Sequence, residues 1–247
     1  KQFIDILGIG KSLLQLTFER LNKICPTENF YIVTNKTYKD LVLEQLPMLT
    51  EDQVLLEPKR RNTAPCIEYA NYKIKSKNKD AKIIVSPADH LIINETEFIK
   101  VVNEGIEFVS KNDALLTLGI KPSRPDTGYG YIQIDQKNKI TLQNIDKVKT
   151  FTEKPNIELA KFFFESGEFF WNSGIFIWSL MSIENAFKNY LPEVANLFEN
   201  RDNFKSENDF IEKTYSECPN ISIDYGVMEK ADNVFVYKSD FGWSDLG

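Results

Sequence analysis

The segment AKIIVSPADHLIIN (residues 81–94) places an acid and an imidazole directly behind an apolar run. Ile83, Ile84 and Val85 read as a strand buried on both faces, and Ser86-Pro87 stops it. Asp89 and His90, the chain's single histidine, follow at once. Ligands gather outside the carboxyl ends of parallel strands. A carboxylate there suits Mg2+, a hard cation that takes carboxylate oxygen and keeps several waters. The alternative is that Asp89 caps the turn that follows. For His90 a structural hydrogen bond is the expected role. A second carboxylate, Asp245, stands in DFGWSDLG (240–247), just after the strand-like VFVYKSD. Next to Asp89 it would complete a Mg2+ site, but nothing in the sequence brings the two together.

Other stretches carry chemistry of a different kind. EPKRRNTAP (57–65) is a strand end running into a helix start. Asn62 or Thr63 suits the N-cap and Pro65 the first turn. A helix N-terminus presents N–H groups and a positive dipole end to phosphate or to a polar base edge, and Arg60 and Arg61 add cationic forks. A solvated basic turn is the alternative. GIGKS (8–12) is not a P-loop, because the position five before Gly10 is Asp5. TGYGYI (127–132) has two of the three glycines of a dinucleotide fingerprint and leads into a strand, so Gly128 and Gly130 are read as places of close backbone approach. WNSGIF (171–176) sets an amide beside a glycine in an aromatic frame, which suits sugar hydroxyls; a packed turn is the alternative.

TFTEKP (150–155) ends a strand with Glu153 beside Lys154. Alone, such a pair is more often on a surface. Neighbouring side chains on a strand point to opposite faces. Both can serve one ligand only if the strand ends or bends at Pro155.

The elements that must position these groups alternate. Helices are expected over 13–24, at Leu41–Leu46, over 62–75, and from an Asn94/Glu97 capping box through Phe98, Val102, Gly105 and Val109. Strands are expected at 30–34, 53–57, 81–86 and 114–120. That alternation predicts an α/β fold with a mostly parallel, Rossmann-like central sheet flanked by helices. Beyond residue 120 the pattern loosens. GYGYIQI, KVKTFTE and SGIFIW read as strands, NIELAKFFFES and SIDYGVMEK as helices. No linker appears near 120, so a single domain with an inserted or appended substrate-binding lobe is expected.

Composition narrows the classes. The 247 residues are 42% hydrophobic and 27% charged, with a net charge of -6. An acidic chain of this kind does not offer the broad cationic surface needed for non-specific binding to nucleic acid or anionic membranes. No apolar run approaches the roughly 20 residues that span a bilayer. Cys25, Cys66 and Cys218 are odd in number and unclustered, which points to free thiols in a reducing compartment. The opening KQFIDILGIGK is not a signal peptide, and the cytoplasm is the expected location.

The order of KQF, EPKRRNTAP, SPADHLI, TLGIKPSRPDTGYGYI, FTEKP, WNSGIFIW, SIDYGVMEK and GWSDLG resembles the bacterial mannose-1-phosphate guanylyltransferases (GDP-mannose pyrophosphorylases) across essentially the whole chain. RNTAP and PADH resemble the mannose branch. The resemblance implies transfer of GMP from GTP to mannose 1-phosphate with Mg2+, with about 1–120 as the nucleotide-binding half and about 121–247 as the sugar-phosphate-binding half. It implies that Lys1 contacts phosphate, that Asp89 and Asp245 hold the metal, and that Glu57, Asn62, Thr63 and Pro87 lie on the nucleotide side. Gly130, Glu153, Lys154 and Asn172 would line the sugar phosphate, with Lys154 on its phosphate. A homodimer through the carboxy-terminal part is the assembly to expect. In that family a Gly-rich, Arg-containing loop precedes the Lys-Gln-Phe with which these residues begin. The 247 residues as they stand are expected to fold with little or no transferase activity. Alternatives are a different nucleotide or hexose, or a non-catalytic nucleotide-sugar-binding regulatory subunit.

Overall fold

The structure is a computed structural model that describes residues 1–135 and 144–246. In chain order its helices and strands are α1 (Leu13–Asn22), β1 (Ile32–Asn35), α2 (Lys39–Gln45), β2 (Val54–Glu57), α3 (Thr63–Lys77), β3 (Lys82–Val85), β4 (His90–Ile92), α4 (Glu95–Lys111), β5 (Leu115–Ile120), β6 (Tyr131–Ile134), β7 (Ile145–Thr152), α5 (Ile157–Ser166), β8 (Phe169–Ser179), α6 (Leu180–Tyr190), α7 (Pro192–Glu199), α8 (Glu207–Glu217), β9 (Val234–Ser239) and β10 (Trp243–Asp245). Packing divides the chain into two compact units. One is Lys1–Ala81 with Glu184–Val227, the other Lys82–Ile183 with Met228–Gly247.

In the first unit β1 and β2 pair in parallel, Ile32 opposite Val54. Helix α1 starts on a capping box in which Ser12 and Gln15 satisfy each other's backbone N–H groups. Helix α3 packs through Tyr69 against Phe198 of α7 and Tyr215 of α8. All three cysteines are free thiols, as expected from their spacing.

The second unit is built on a six-stranded sheet in the order β3-β8-β5-β9-β7-β6. Strands β3, β5, β9 and β6 run in one direction, β8 and β7 in the other. The α/β class is the one expected, and β5 is buried at every position, as a strand covered on both faces must be. What local periodicity did not contain is the antiparallel wedge of β8 between β3 and β5: direction is set by connectivity, which the pattern of a single strand does not record. Helix α4 lies close on this sheet. A Cβ at Gly105 would stand 2.7 Å from Ile177 Cδ1, so only glycine lets the helix approach so near. Its start is Asn94, whose side chain accepts from Glu97 N–H. A separate antiparallel ribbon joins β4 and β10. No helix among the described residues is long and apolar enough to cross a membrane.

Candidate functional site

The β4–β10 ribbon carries the acid pair. Its register sets Asp245 opposite His90 and Trp243 opposite Ile92. Directly opposed residues share a face, and so do residues two apart on a strand. His90, Asp245 and Trp243 therefore stand on one face. The Trp243 Nε1–H donates to His90 Nδ1 at 3.1 Å, the two rings meeting edge to face. His90 Nε2 lies 4.0 Å from Asp245 Oδ1. Asp89, just before β4, completes the group: one ligating atom from each of Asp89, His90 and Asp245 lies within 4.8 Å of the others. Gly242 admits the chain to the ribbon. It has a φ of +65° and packs so closely on Ile93 that a Cβ would fall 2.8 Å from that residue's own.

The EKP stretch meets the geometric demand made of it. Strand β7 ends at Thr152, one residue before Glu153. Lys154 then turns into the left-handed region, with φ of 43°. The alternation of faces is broken there, and Lys154 Nζ pairs with Glu153 Oε1 at 2.6 Å. The Glu153 side chain is 8% exposed, that of Lys154 60%. Glu229, from the SIDYGVMEK stretch, accepts the Glu153 backbone N–H at 3.0 Å.

Gly130 and Asn172 connect this corner to the acid pair. A Cβ at Gly130 would lie 2.5 Å from Glu153 Oε2, so the missing side chain makes room for the carboxylate. The Gly130 carbonyl accepts from Asn172 N–H at 2.8 Å. Asn172 Oδ1 accepts from Thr117 Oγ1 and from Gly174 N–H. Gly174 has a φ of +70°, and a Cβ there would meet the Pro87 ring at 3.6 Å and His90 Cε1 at 3.9 Å. Pro87, Asp89, Gly130, Glu153, Lys154, Asn172 and Asp245 thus belong to one connected corner of the second unit.

Aromatic rings roof that corner. Tyr129 meets Trp171 at 5.0 Å and Trp243 at 5.1 Å between centroids. The Arg124 guanidinium lies 5.3 Å above Trp171, steadied by a 2.7 Å ion pair with Asp126. Burial, then the Asp126 and Asp245 carboxylates, hold the Tyr129 phenol above its ordinary pKa. Sequence reasoning did not single out Trp243, Tyr129, Arg124 or Glu229. Trp243 was within reach, since it precedes Asp245 by one strand period; Arg124 and Glu229 carry no local signal beyond their charge.

Lys1, Glu57, Asn62 and Thr63 belong to the first unit. Asn62 is the N-cap of α3, as expected, at φ of 67°. The N–H groups expected to be open at that helix start are taken, however. Thr63 N–H goes to Asn62 Oδ1 and Ala64 N–H to the Ile221 carbonyl, while Pro65 has none. The Thr63 hydroxyl accepts from Ile223 N–H. Arg61 is equally committed, donating to the Tyr215 and Ser216 carbonyls at the end of α8. The physical reason is that α8 and the segment after it supply carbonyls to a start that would otherwise bury unpaired donors. Glu57, at the end of β2, accepts from the Tyr215 hydroxyl at 3.1 Å. Burial raises its carboxyl, against the pull of Tyr215 and Arg60. Lys1 is exposed, and its carbonyl accepts from Ile4 N–H.

The family model described as "Nucleotidyl transferase" matches residues 1–247. The chain is 36% identical over 259 residues to a mannose-1-phosphate guanylyltransferase of Escherichia coli, covering 100% of this chain and 54% of that relative. It is 36% identical over 255 residues to the mannose-1-phosphate guanylyltransferase RfbM of Salmonella typhimurium, covering 100% of this chain and 52% of the relative. The chain thus spans about half the length of the curated relatives it matches. Among solved structures, the mannose-1-phosphate geranyltransferase of Thermus thermophilus matches with a TM-score of 0.84 and 29% identity, over 96% of this chain and 67% of the other. The mannose-6-phosphate isomerase of Helicobacter pylori matches with a TM-score of 0.83 and 27% identity, over 99% of this chain and 94% of the other.

Proposed function

The chain belongs to the nucleotidyl transferase family, and from that premise we propose that its protein transfers GMP from GTP to α-D-mannose 1-phosphate, giving GDP-mannose and pyrophosphate. The observation that carries this is the meeting, in one corner, of the Asp89–Asp245 pair with the Glu153–Lys154 pair, through Pro87, Gly174, Asn172 and Gly130. A site for charge on phosphate and a site for a polyhydroxylated phosphate ester are what such a transfer needs side by side.

The donor set fits Mg2+: two carboxylates within reach of each other offer oxygen to a hard cation that completes its shell with water and substrate phosphate. Asp89 and Asp245 would hold it. When bound, the ion neutralises charge on the phosphates. Lys154 provides a cation for the sugar phosphate, whose oxygen attacks the α-phosphorus in line as pyrophosphate leaves. Its 60% exposed side chain can exchange Glu153 for that phosphate. Glu153, almost wholly shielded from solvent, accepts two sugar hydroxyls. Asn172 is locked by Thr117 and Gly174, which presents its amide in one orientation. Burial and pre-paid orientation, with no covalent protein intermediate, supply the rate.

On the nucleotide side Glu57, Asn62 and Thr63 are assigned to the guanine, Pro87 to the nucleotide and Lys1 to phosphate. The α3 start contributes side chains and not backbone N–H groups, because those donors are already used. The decisive experiment is pyrophosphate release by the full-length protein, with each nucleoside triphosphate crossed against mannose and glucose 1-phosphates. Release with GTP and mannose 1-phosphate, well above every other pair, is the expected result. Preference for another pair would reassign the substrates, and no release with any pair would favour a binding subunit.

A further inference from the structure

We propose that Trp243 and His90 are positioning residues that make the Asp89–Asp245 pair selective for an oxygen-seeking divalent cation, an inference that rests on the cation reading of those two carboxylates. An indole N–H only donates. Its 3.1 Å contact therefore requires the Nδ1 atom of His90 to carry a lone pair. A neutral imidazole with Nδ1 unprotonated carries its proton on Nε2. Nε2 is the nitrogen that lies 4.0 Å from Asp245 Oδ1. His90 is buried, and Trp243 is itself held by Tyr129, so the ring pair keeps this arrangement.

Three side chains stand close enough together to be ligands. The tautomer removes one of them. His90 turns a proton, not a lone pair, toward Asp245, and its other nitrogen is occupied by the indole. What remains is a two-carboxylate set, which suits Mg2+ or Mn2+. An imidazole lone pair added to the two carboxylates would instead suit Zn2+. One short strand thus supplies both a ligand, Asp245, and the residue that disarms the imidazole opposite it, Trp243.

The tautomer is read directly from 15N NMR of the full-length protein without metal. At about pH 8 the ordinary imidazole is neutral, and a His90→Gln spectrum assigns the signals. An unprotonated Nδ1 with a protonated Nε2 is expected. The reverse pattern, or the averaged pattern of a ring exchanging between tautomers, overturns the proposal. Trp243→Phe keeps a ring and deletes the donor. Titrated with each metal alone, this variant should gain at least about tenfold in Zn2+ affinity relative to Mn2+, the range typical of changes around a ligand. An unchanged ratio overturns the proposal. If Trp243→Phe does not fold, the NMR result decides by itself. An Asp89→Asn control separates the two readings: Mn2+ binding that survives it unaltered removes the cation site but leaves the tautomer assignment standing.

Discussion

Asp245 faces His90 across the β4–β10 ribbon in direct register, and this pairing is what carries the second carboxylate to Asp89. The pair should therefore act as a charge site and not as a packing element. Replacing either acid by Asn keeps its shape and removes its charge. Divalent-cation affinity is expected to fall by more than about tenfold, while stability moves by no more than about 0.5–1 kcal/mol, the usual range away from a packed core. Metal titration alongside thermal unfolding checks both. Loss of several kcal/mol with affinity intact would make the carboxylates structural.

Lys154 holds a left-handed backbone that costs a non-glycine residue about 1–2 kcal/mol. Glycine relieves that strain and adds about 0.5–1 kcal/mol of backbone entropy cost. Lys154→Gly should therefore be at least as stable as the parent, and Lys154→Ala should not gain. Both should bind mannose 1-phosphate more weakly by about 1.5–3 kcal/mol, the worth of a charge-assisted hydrogen bond, and bind GTP as before. Calorimetric titration of the two ligands against each variant reads this. Equal weakening of both ligands would move Lys154 to the nucleotide side.

Gly130→Ala inserts a methyl group where Glu153 Oε2 now sits, 2.5 Å from the new carbon. The carboxylate ends a flexible side chain, so the fold can give way at a cost of about 1 kcal/mol. The sugar contact proposed for Glu153 would not. We expect KM for mannose 1-phosphate to rise well above the change in KM for GTP. A variant that loses several kcal/mol of stability with its sugar KM untouched would show that the glycine serves packing.

Glu68 is buried in α3, and burial, with the Glu184 and Glu199 carboxylates, pushes its carboxyl up to about 8 against the opposing pull of Asn71 and Lys75. The unfolded chain gives up this proton near the ordinary carboxylate value, while the folded chain holds it longer. Between those limits the native state binds more protons, so stability falls as pH rises and the loss levels off above about 8. Glu68→Gln, which mimics the protonated acid, should abolish that slope and be more stable than the parent at alkaline pH. Urea unfolding of both proteins across pH 5–9 measures it. Parallel curves would remove Glu68 from the account.

How much of this was legible in the sequence depended on whether the information is local. The start of α3 at Asn62, the strand before Asp89 and the break in alternation before Pro155 are local matters of caps, apolar runs and ring closure, and they were readable. The meeting of Asp89 with Asp245 was implied only by the family resemblance and not by the residues themselves, because HLI and WSD are each three residues long and neither names its partner. The antiparallel setting of β8 was hidden for the same reason. The α3 start misled in the opposite way. It displayed every sign of an anion site, but its donors are consumed, Thr63 N–H by the neighbouring Asn62 side chain and Ala64 N–H by the Ile221 carbonyl more than a hundred positions later. The contact from which the tautomer of His90 is proposed appeared only when the ribbon placed an indole beside the ring.

The second unit is written in two pieces, and β9 belongs to the later one. In the sheet β9 lies between β5 and β7. A nascent chain that has emerged through β8 can already pair β5 on one side, but its other edge stays bare until residues 234–239 are made. At about 5–20 residues per second that takes several seconds. Strand β5 is buried at all its positions, so the exposed edge is apolar as well as unpaired, the kind of edge that recruits strands from neighbouring chains. The same insertion that delays Asp245 therefore sets a window of aggregation during synthesis. A strand that must wait for cover on the ribosome is thus one of the most deeply buried in the finished protein.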